Sequence, residues 1–213
     1  KLIYELIIKE DDSDYSLLQK VFSEVFQGCY SSINIEDMVS LFEFVVSPAD
    51  RVITGAVYTP HDIRKKIINT CLKSKNSVEL HQIRIADISC GCGGFLMDAA
   101  LFLHNKTNRK FVNIFKENLF GIDIQDYSVV RTQILLSLLA LTHGEDQDFE
   151  FNILESDTLD FKTDKWNDKF TNFDIIVGNP PYVCSRNLNE ETKQKILKYE
   201  VCKSGHPDLY LPF

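Results

Sequence analysis

From residue 83 onward the sequence alternates short apolar runs with longer helical stretches, and this alternation constrains the fold more than any other feature. The runs are IRIADIS (83–89), NLFGIDI (118–124), FEFNILESD (149–157) and FDIIVGN (173–179). They are nearly continuous in Ile, Leu, Val and Phe, as expected of strands covered on both faces. The stretches GFLMDAALFLHNK (94–106) and YSVVRTQILLSLLALTHG (127–144) lie between them and read as helices, the second closing on Gly144 as its C-cap. Strands that alternate with helices pair in parallel, so the expected class is α/β: a doubly wound, mainly parallel sheet with helices on both faces. Ligands bind such sheets at the carboxyl ends of the strands.

The segment before residue 55 reads differently. YSLLQKVFSEVF and IEDMVSLFEFVV place apolar residues at helical spacing, which predicts a helical extension over residues 1–55 ahead of an α/β domain over 56–213. Thr59 and Pro60 then offer an N-cap and a first-turn proline for a helix over about 60–73, with Ile63, Ile67, Ile68, Cys71 and Leu72 on one face. The neighbouring Arg64-Lys65-Lys66 is read as a solvated face. The five histidines lack metal-ligand spacing, so no metal is expected.

Composition excludes some functions. A net charge of −8 is wrong for a free-standing nucleic-acid binder, although it allows a catalytic part whose basic surface lies elsewhere. Six scattered cysteines, with no second pair to complement Cys90-x-Cys92, suggest reduced thiols and a cytoplasmic location. No apolar run has the length of a membrane helix. The chain opens at Lys1 and closes at Phe213 inside the apolar phrase DLYLPF, which reads as a piece of a larger protein.

Each run ends in groups suited to a ligand. In ADISCGCGGFL (86–96), Asp87 closes the first strand, and Gly91, Gly93 and Gly94 form a turn into a helix. Such a turn lets backbone approach a ligand and ends on a positive helix dipole. It lacks the lysine of a phosphate-binding loop, and Leu96 breaks the dinucleotide spacing. The turn alone leaves a nucleotide, S-adenosylmethionine and no ligand all open. Asp123 ends the second strand, where a carboxylate can accept from ribose hydroxyls. Asp157 ends the third and can accept from an adenine amino group. Seen singly, both could equally be solvated carboxylates.

The fourth run is the most specific. Proline cannot continue a central strand, so the chain must leave the sheet at Gly178-Asn179. Pro180 and Pro181 stiffen the exit and fix the Asn179 carboxamide, a backbone carbonyl and the Tyr182 ring near the other motifs. Two acceptors beside an aromatic ring suit a planar group bearing an NH2.

The ordered set GAVYTP (55–60), DISCGCGGFL (87–96), GIDI (121–124), SD (156–157), NPPY (179–182) and DLYLPF (208–213) resembles the gamma-class adenine DNA methyltransferases. It is most similar to the methylase part of type IIG restriction-modification enzymes, with type I modification subunits close behind. The resemblance covers about residues 50–213. It implies a Rossmann-like, S-adenosylmethionine-dependent methyltransferase fold, C-terminally truncated here, that acts on double-stranded DNA beside a restriction subunit or fused nuclease. By the same resemblance, Tyr58, Thr59 and Pro60 close over the cofactor, while Asp87, Cys90, Gly91 and Gly93 line its methionine side. Asp123 holds the ribose and Asp157 reads the adenine. Asn179 and the carbonyl of Pro180 accept from the target amino group, and Tyr182 stacks on an extruded base. Asp208, Leu209, Tyr210 and Phe213 pack around the cofactor and the NPPY loop. Cys92 stands where the family has a small hydroxyl residue, which removes a hydrogen bond.

Two rivals remain at this point. Glutamine-amide methyltransferases of proteins also use NPPY, though with a different glycine turn and no Tyr-Thr-Pro. A non-catalytic cofactor-binding module of a defence complex is the other. The resemblance also implies further strands and a target-recognition domain beyond these four runs, so the isolated piece is expected to transfer methyl groups weakly or not at all.

Overall fold

The computed structural model describes residues 35–45, 57–160 and 172–213. The expected helical extension is described only at α1 (Ile35–Val45), and the rest of it lies outside these residues. Then follow α2 (His61–Leu72), α3 (Ser77–Gln82), β1 (Ile85–Asp87), α4 (Gly94–Thr107), α5 (Phe111–Glu117) and β2 (Leu119–Asp123). They are succeeded by α6 (Asp126–Thr142), β3 (Asn152–Glu155), β4 (Ile175–Val177) and α7 (Glu190–Ile196).

All four expected strands are present and pair in parallel in the order β3-β2-β1-β4. They are shorter than the apolar runs that announced them. The chain winds outward from β1 to β3 and then crosses to the other side of β1 for β4. That reversal opens a crevice between the carboxyl ends of β1 and β4, the ligand position of doubly wound sheets.

Alternation along the strands sorts the core. Ile85 and Leu119 point into the main cluster, together with Leu96, Leu103, Phe111, Phe115, Leu135 and Leu139 from α4, α5 and α6. Ala86, Phe120 and Ile122 point to the opposite face, where Phe173 and the Arg84 guanidinium, 4.5 Å from the Phe120 ring centre, lie over them. Ile176 on that face is 58% exposed. The helical cover expected for this second face is not among the described residues.

Three helices, α3, α5 and α7, went unread in the sequence. α3 is opened by a capping box, in which the Asn76 side chain accepts from the Glu79 N–H and Glu79 accepts from the Asn76 N–H. α5 has no cap of its own. Glu145, beyond the end of α6, accepts from the N–H groups of Phe111 and Val112 at 2.7 and 3.1 Å. The C-cap turn at Gly144 has φ +82, as expected of a helix ending on a left-handed residue.

α2 corrects the reading of its own face. Pro60 is the N-cap, and Thr59 makes no side-chain cap. The buried positions are Arg64, Ile68 and Leu72, while Ile63 and Ile67 are exposed. Arg64 is therefore no solvated cation. Its Nε donates to Asp98 Oδ2 at 3.1 Å and its NH1 to the Thr59 carbonyl at 2.7 Å, and NH2 pairs with Glu36. This ion network rotates the helix so that a charged residue, not Ile63, faces inward. Among the described residues no helix is long and apolar enough to cross a membrane.

Candidate active site

A cavity of about 480 Å³ lies at the carboxyl ends of the strands. Tyr58, Thr59, Asp87, Cys90, Gly91, Asp123, Asp157 and Asn179 line it, so residues more than a hundred positions apart in sequence converge there. Pro60, Gly93, Pro180 and Tyr182 are not in its lining. Pro60 and Gly93 shape adjoining backbone, and Pro180 and Tyr182 belong to the exit loop beside Asn179.

The glycine turn is built by close approach. Cys90 N–H donates to the Ile122 carbonyl at 2.9 Å, which ties the turn to β2. Gly93 has φ +79, and a Cβ there would stand 2.6 Å from Thr132 Cγ2. Any side chain at this position must strain the backbone and displace α6. A Cβ at Gly91 would meet Tyr58 Cε1 at 3.7 Å, so the tyrosine ring lies over the turn.

Three carboxylates enter the cavity with different partners. Asp123 accepts from the N–H groups of Gly91 and Gln125 at 2.8 and 2.9 Å. Burial still raises its pKa, and those bonds oppose the rise. Asp87 is 1% exposed, and burial pushes its pKa up to about 7 despite one bond from the Ser89 N–H. Asp157 Oδ2 takes Lys195 Nζ at 2.7 Å, a partner from α7 that the sequence did not reveal. Burial holds the Cys90 thiol far above its ordinary pKa, so it is no nucleophile.

The state of Asp87 gives a pH dependence of known sign. Its folded pKa of about 7 lies above the ordinary carboxylate value of 3.8, so the fold favours the neutral acid. The stability this contributes is complete below the ordinary carboxylate range and is lost as pH rises through 7. Thermal unfolding followed between about pH 5 and pH 8 should show stability falling with pH, and Asp87→Asn should flatten that slope. An unchanged slope in the variant would remove Asp87 as its source.

β4 carries the remaining groups to the same place. A Cβ at Gly178 would sit 2.8 Å from Asp87 Oδ1, so only glycine lets the strand end pass this carboxylate. The next residue, Asn179, donates its side-chain amide to the Val57 carbonyl at 2.7 Å, and no described residue donates to its carboxamide oxygen. Ser89 Oγ reaches the Asn179 backbone carbonyl at 3.4 Å, linking the exit loop to the end of β1. Tyr182 is 52% exposed.

Beside the cavity, Glu36, His61 and Asp98 bring ligand-type atoms within 4.8 Å of one another. The Arg64 guanidinium bonds to the two carboxylates and already supplies positive charge there. The cluster thus acts as an ionic clamp joining α1, α2 and α4. Histidine spacing in the sequence could not reveal it, because its members lie 25 to 62 residues apart.

Known proteins resemble this chain in sequence and in fold. Residues 117–213 match the family described as Eco57I restriction-modification methylase. The chain is 26% identical to the type II restriction enzyme and methyltransferase RM.Eco57I of Escherichia coli, across 94% of this chain and 25% of that protein. It is 32% identical to the type II methyltransferase M.BanIII of Aneurinibacillus aneurinilyticus, across 75% of this chain and 27% of that protein. The chain thus spans about a quarter of the length of these relatives. Its fold is shared with a DrdV–DNA complex (TM-score 0.66, 20% identity, 92% of this chain and 23% of that one). It is also shared with the type IIL restriction-modification enzyme MmeI in complex with DNA (TM-score 0.58, 19% identity, 84% and 30%). The chain is a relative of the type II restriction-modification methylases, and its residues 117–213 carry the match to the Eco57I methylase family.

Proposed function

We propose that this chain is the cofactor-binding and catalytic part of a site-specific adenine DNA methyltransferase in a restriction-modification system. The observation that carries the reading is the placement of Asn179. Its amide nitrogen is spent on Val57, which leaves the carboxamide oxygen to accept from a substrate amino group beside a cofactor-sized cavity.

The cavity fits S-adenosylmethionine by its donor set. Three carboxylates suit a ligand that carries positive charge, ribose hydroxyls and an amino group. Asp87 faces the methionine side, where a cationic ligand favours its ionised form. Asp123 holds the ribose hydroxyls, and Asp157, oriented by Lys195, accepts from the adenine amino group. Thr59 and the glycine turn hold the methionine end beneath the Tyr58 ring. Bound there, the cofactor supplies an electrophilic methyl group on a sulfonium.

The protein's own groups do the rest by placement and charge. An adenine extruded from the duplex stacks on Tyr182. Its amino group donates to the Asn179 oxygen and to the carbonyl of Pro180. These two acceptors draw the nitrogen lone pair out of the ring and stabilise the positive charge that develops on attack. No strong base is required first, because the proton leaves after the methyl group has arrived.

A labelled methyl donor offered with both unmethylated duplex DNA and a glutamine-bearing release-factor-like protein tests the acceptor class. The full-length enzyme should label only the DNA. Labelling of the protein would transfer the assignment to amide methylation. Asp123→Ala should weaken cofactor binding in calorimetry by about tenfold, the loss of one charge-assisted hydrogen bond.

A further inference from the structure

The segment that follows the NPPY loop folds back on it. Leu209 N–H donates to the Val183 carbonyl at 2.9 Å, and Ser185 N–H donates to Asp208 Oδ1 at 2.8 Å. These two bonds strap residues 208–213 alongside the stretch immediately after Tyr182.

Side chains of the strap divide between two tasks. Leu209 and Phe213 line the cofactor cavity and pack on the cluster of Leu159, Val183 and Leu188. Tyr210 is absent from that lining. Its ring leans on Tyr182, with centroids 5.6 Å apart and planes 38° apart. Both rings remain open to solvent, at 52% for Tyr182 and 40% for Tyr210.

We propose that Tyr210 is a positioning residue for base capture: it braces the Tyr182 ring so that one face stays presented to an extruded adenine. The proposal rests on the methyltransferase reading above. Two geometric arguments favour a brace over the alternatives. A base held between two rings needs two contact gaps, about 7 Å in all, and 5.6 Å is too close to admit one. A ring that served the cofactor would line the cavity, as Leu209 and Phe213 do.

The physical need for a brace follows from exposure. Pro180 and Pro181 fix the backbone before Tyr182, but they leave its side-chain torsions free. A half-exposed ring samples several rotamers, and ordering it on binding costs free energy. A second ring in tilted contact narrows that sampling before the base arrives.

The test uses the full-length enzyme, tritiated S-adenosylmethionine and unmethylated plasmid DNA as acceptor. Tyr210→Ala should lower kcat/KM for DNA roughly two- to tenfold, the worth of an aromatic pair, and leave the cofactor Kd unchanged. Tyr210→Phe, which keeps the ring, should match the parent enzyme. Tyr210→Leu, which keeps apolar bulk without a flat face, should share the loss. Tyr182→Ala combined with Tyr210→Ala should be no worse than Tyr182→Ala alone, because a brace has no value without the ring it braces. Additive losses, a weakened cofactor Kd, or full activity in Tyr210→Leu would overturn the proposal. Absence of transfer to DNA by the parent enzyme would instead overturn the methyltransferase reading, and the brace with it.

Discussion

Asn179→Ala is expected to lower the rate of methyl transfer by on the order of 10²- to 10³-fold, the usual loss when one preorganised group facing developing charge is removed. Cofactor binding should change little, because the carboxamide works on the acceptor side of the cavity. Its amide anchors to Val57 and its oxygen has no donor among the described residues, so the group is aimed before substrate arrives. Asn179→Asp is the sharper control. A carboxylate keeps an acceptor oxygen but loses the N–H that holds it to the Val57 carbonyl, and two oxygens would then face each other. It should therefore be nearly as impaired as alanine. Calorimetry with the cofactor beside initial rates on DNA separates these effects. A variant that binds and methylates normally would remove Asn179 from the chemistry.

Arg64→Met should destabilise the fold by about 3–5 kcal/mol, the cost of leaving a buried charge without its partner. Arg64 is 3% exposed, and its guanidinium bonds to Asp98, Glu36 and the Thr59 carbonyl at once. Burial opposes its charge, and Glu36 with Asp98 outweighs that effect, so its pKa lies above the ordinary value. Removing the guanidinium strands Asp98, whose pKa burial already raises. Arg64→Met with Asp98→Leu should recover part of the loss, since it removes the stranded Asp98 while Glu36 still lacks its guanidinium partner. Urea unfolding measures both. The single variant should also weaken cofactor binding, because Thr59 loses the donor that fixes its carbonyl. Equal stability of parent and Arg64→Met would contradict the clamp.

The sheet was legible in the sequence because short apolar runs bounded by turn residues leave a one-dimensional mark, even where, as at Ile176, one face of the strand is exposed. Ile85-Ala86-Asp87 and Ile175-Ile176-Val177 could be little else than strands, and the glycine turn and the prolines fixed where they end. Asp87, Asp123, Asp157 and Asn179 were likewise visible, since each sits at or just beyond the end of such a run. What escaped was set by partners distant in sequence. Arg64 read as a solvated cation because its carboxylates lie 28 and 34 residues away. α5 was missed because its cap comes from Glu145, 34 residues downstream of Phe111. The Lys195–Asp157 pair joins elements whose proximity depends on how the segment after NPPY folds back. α3 and α7 are the exceptions, since Asn76-x-x-Glu79 and the Asn189 cap on the Thr192 N–H are local signatures that went unread.

The most direct test identifies the methylated nucleoside. Unmethylated duplex DNA is incubated with the full-length enzyme and S-adenosylmethionine, digested to nucleosides and resolved by mass. The predicted product is N6-methyladenine at a defined sequence, present with the parent enzyme and missing with Asn179→Ala. A methylated cytosine, or N6-methyladenine that persists in the Asn179 variant, would contradict the account.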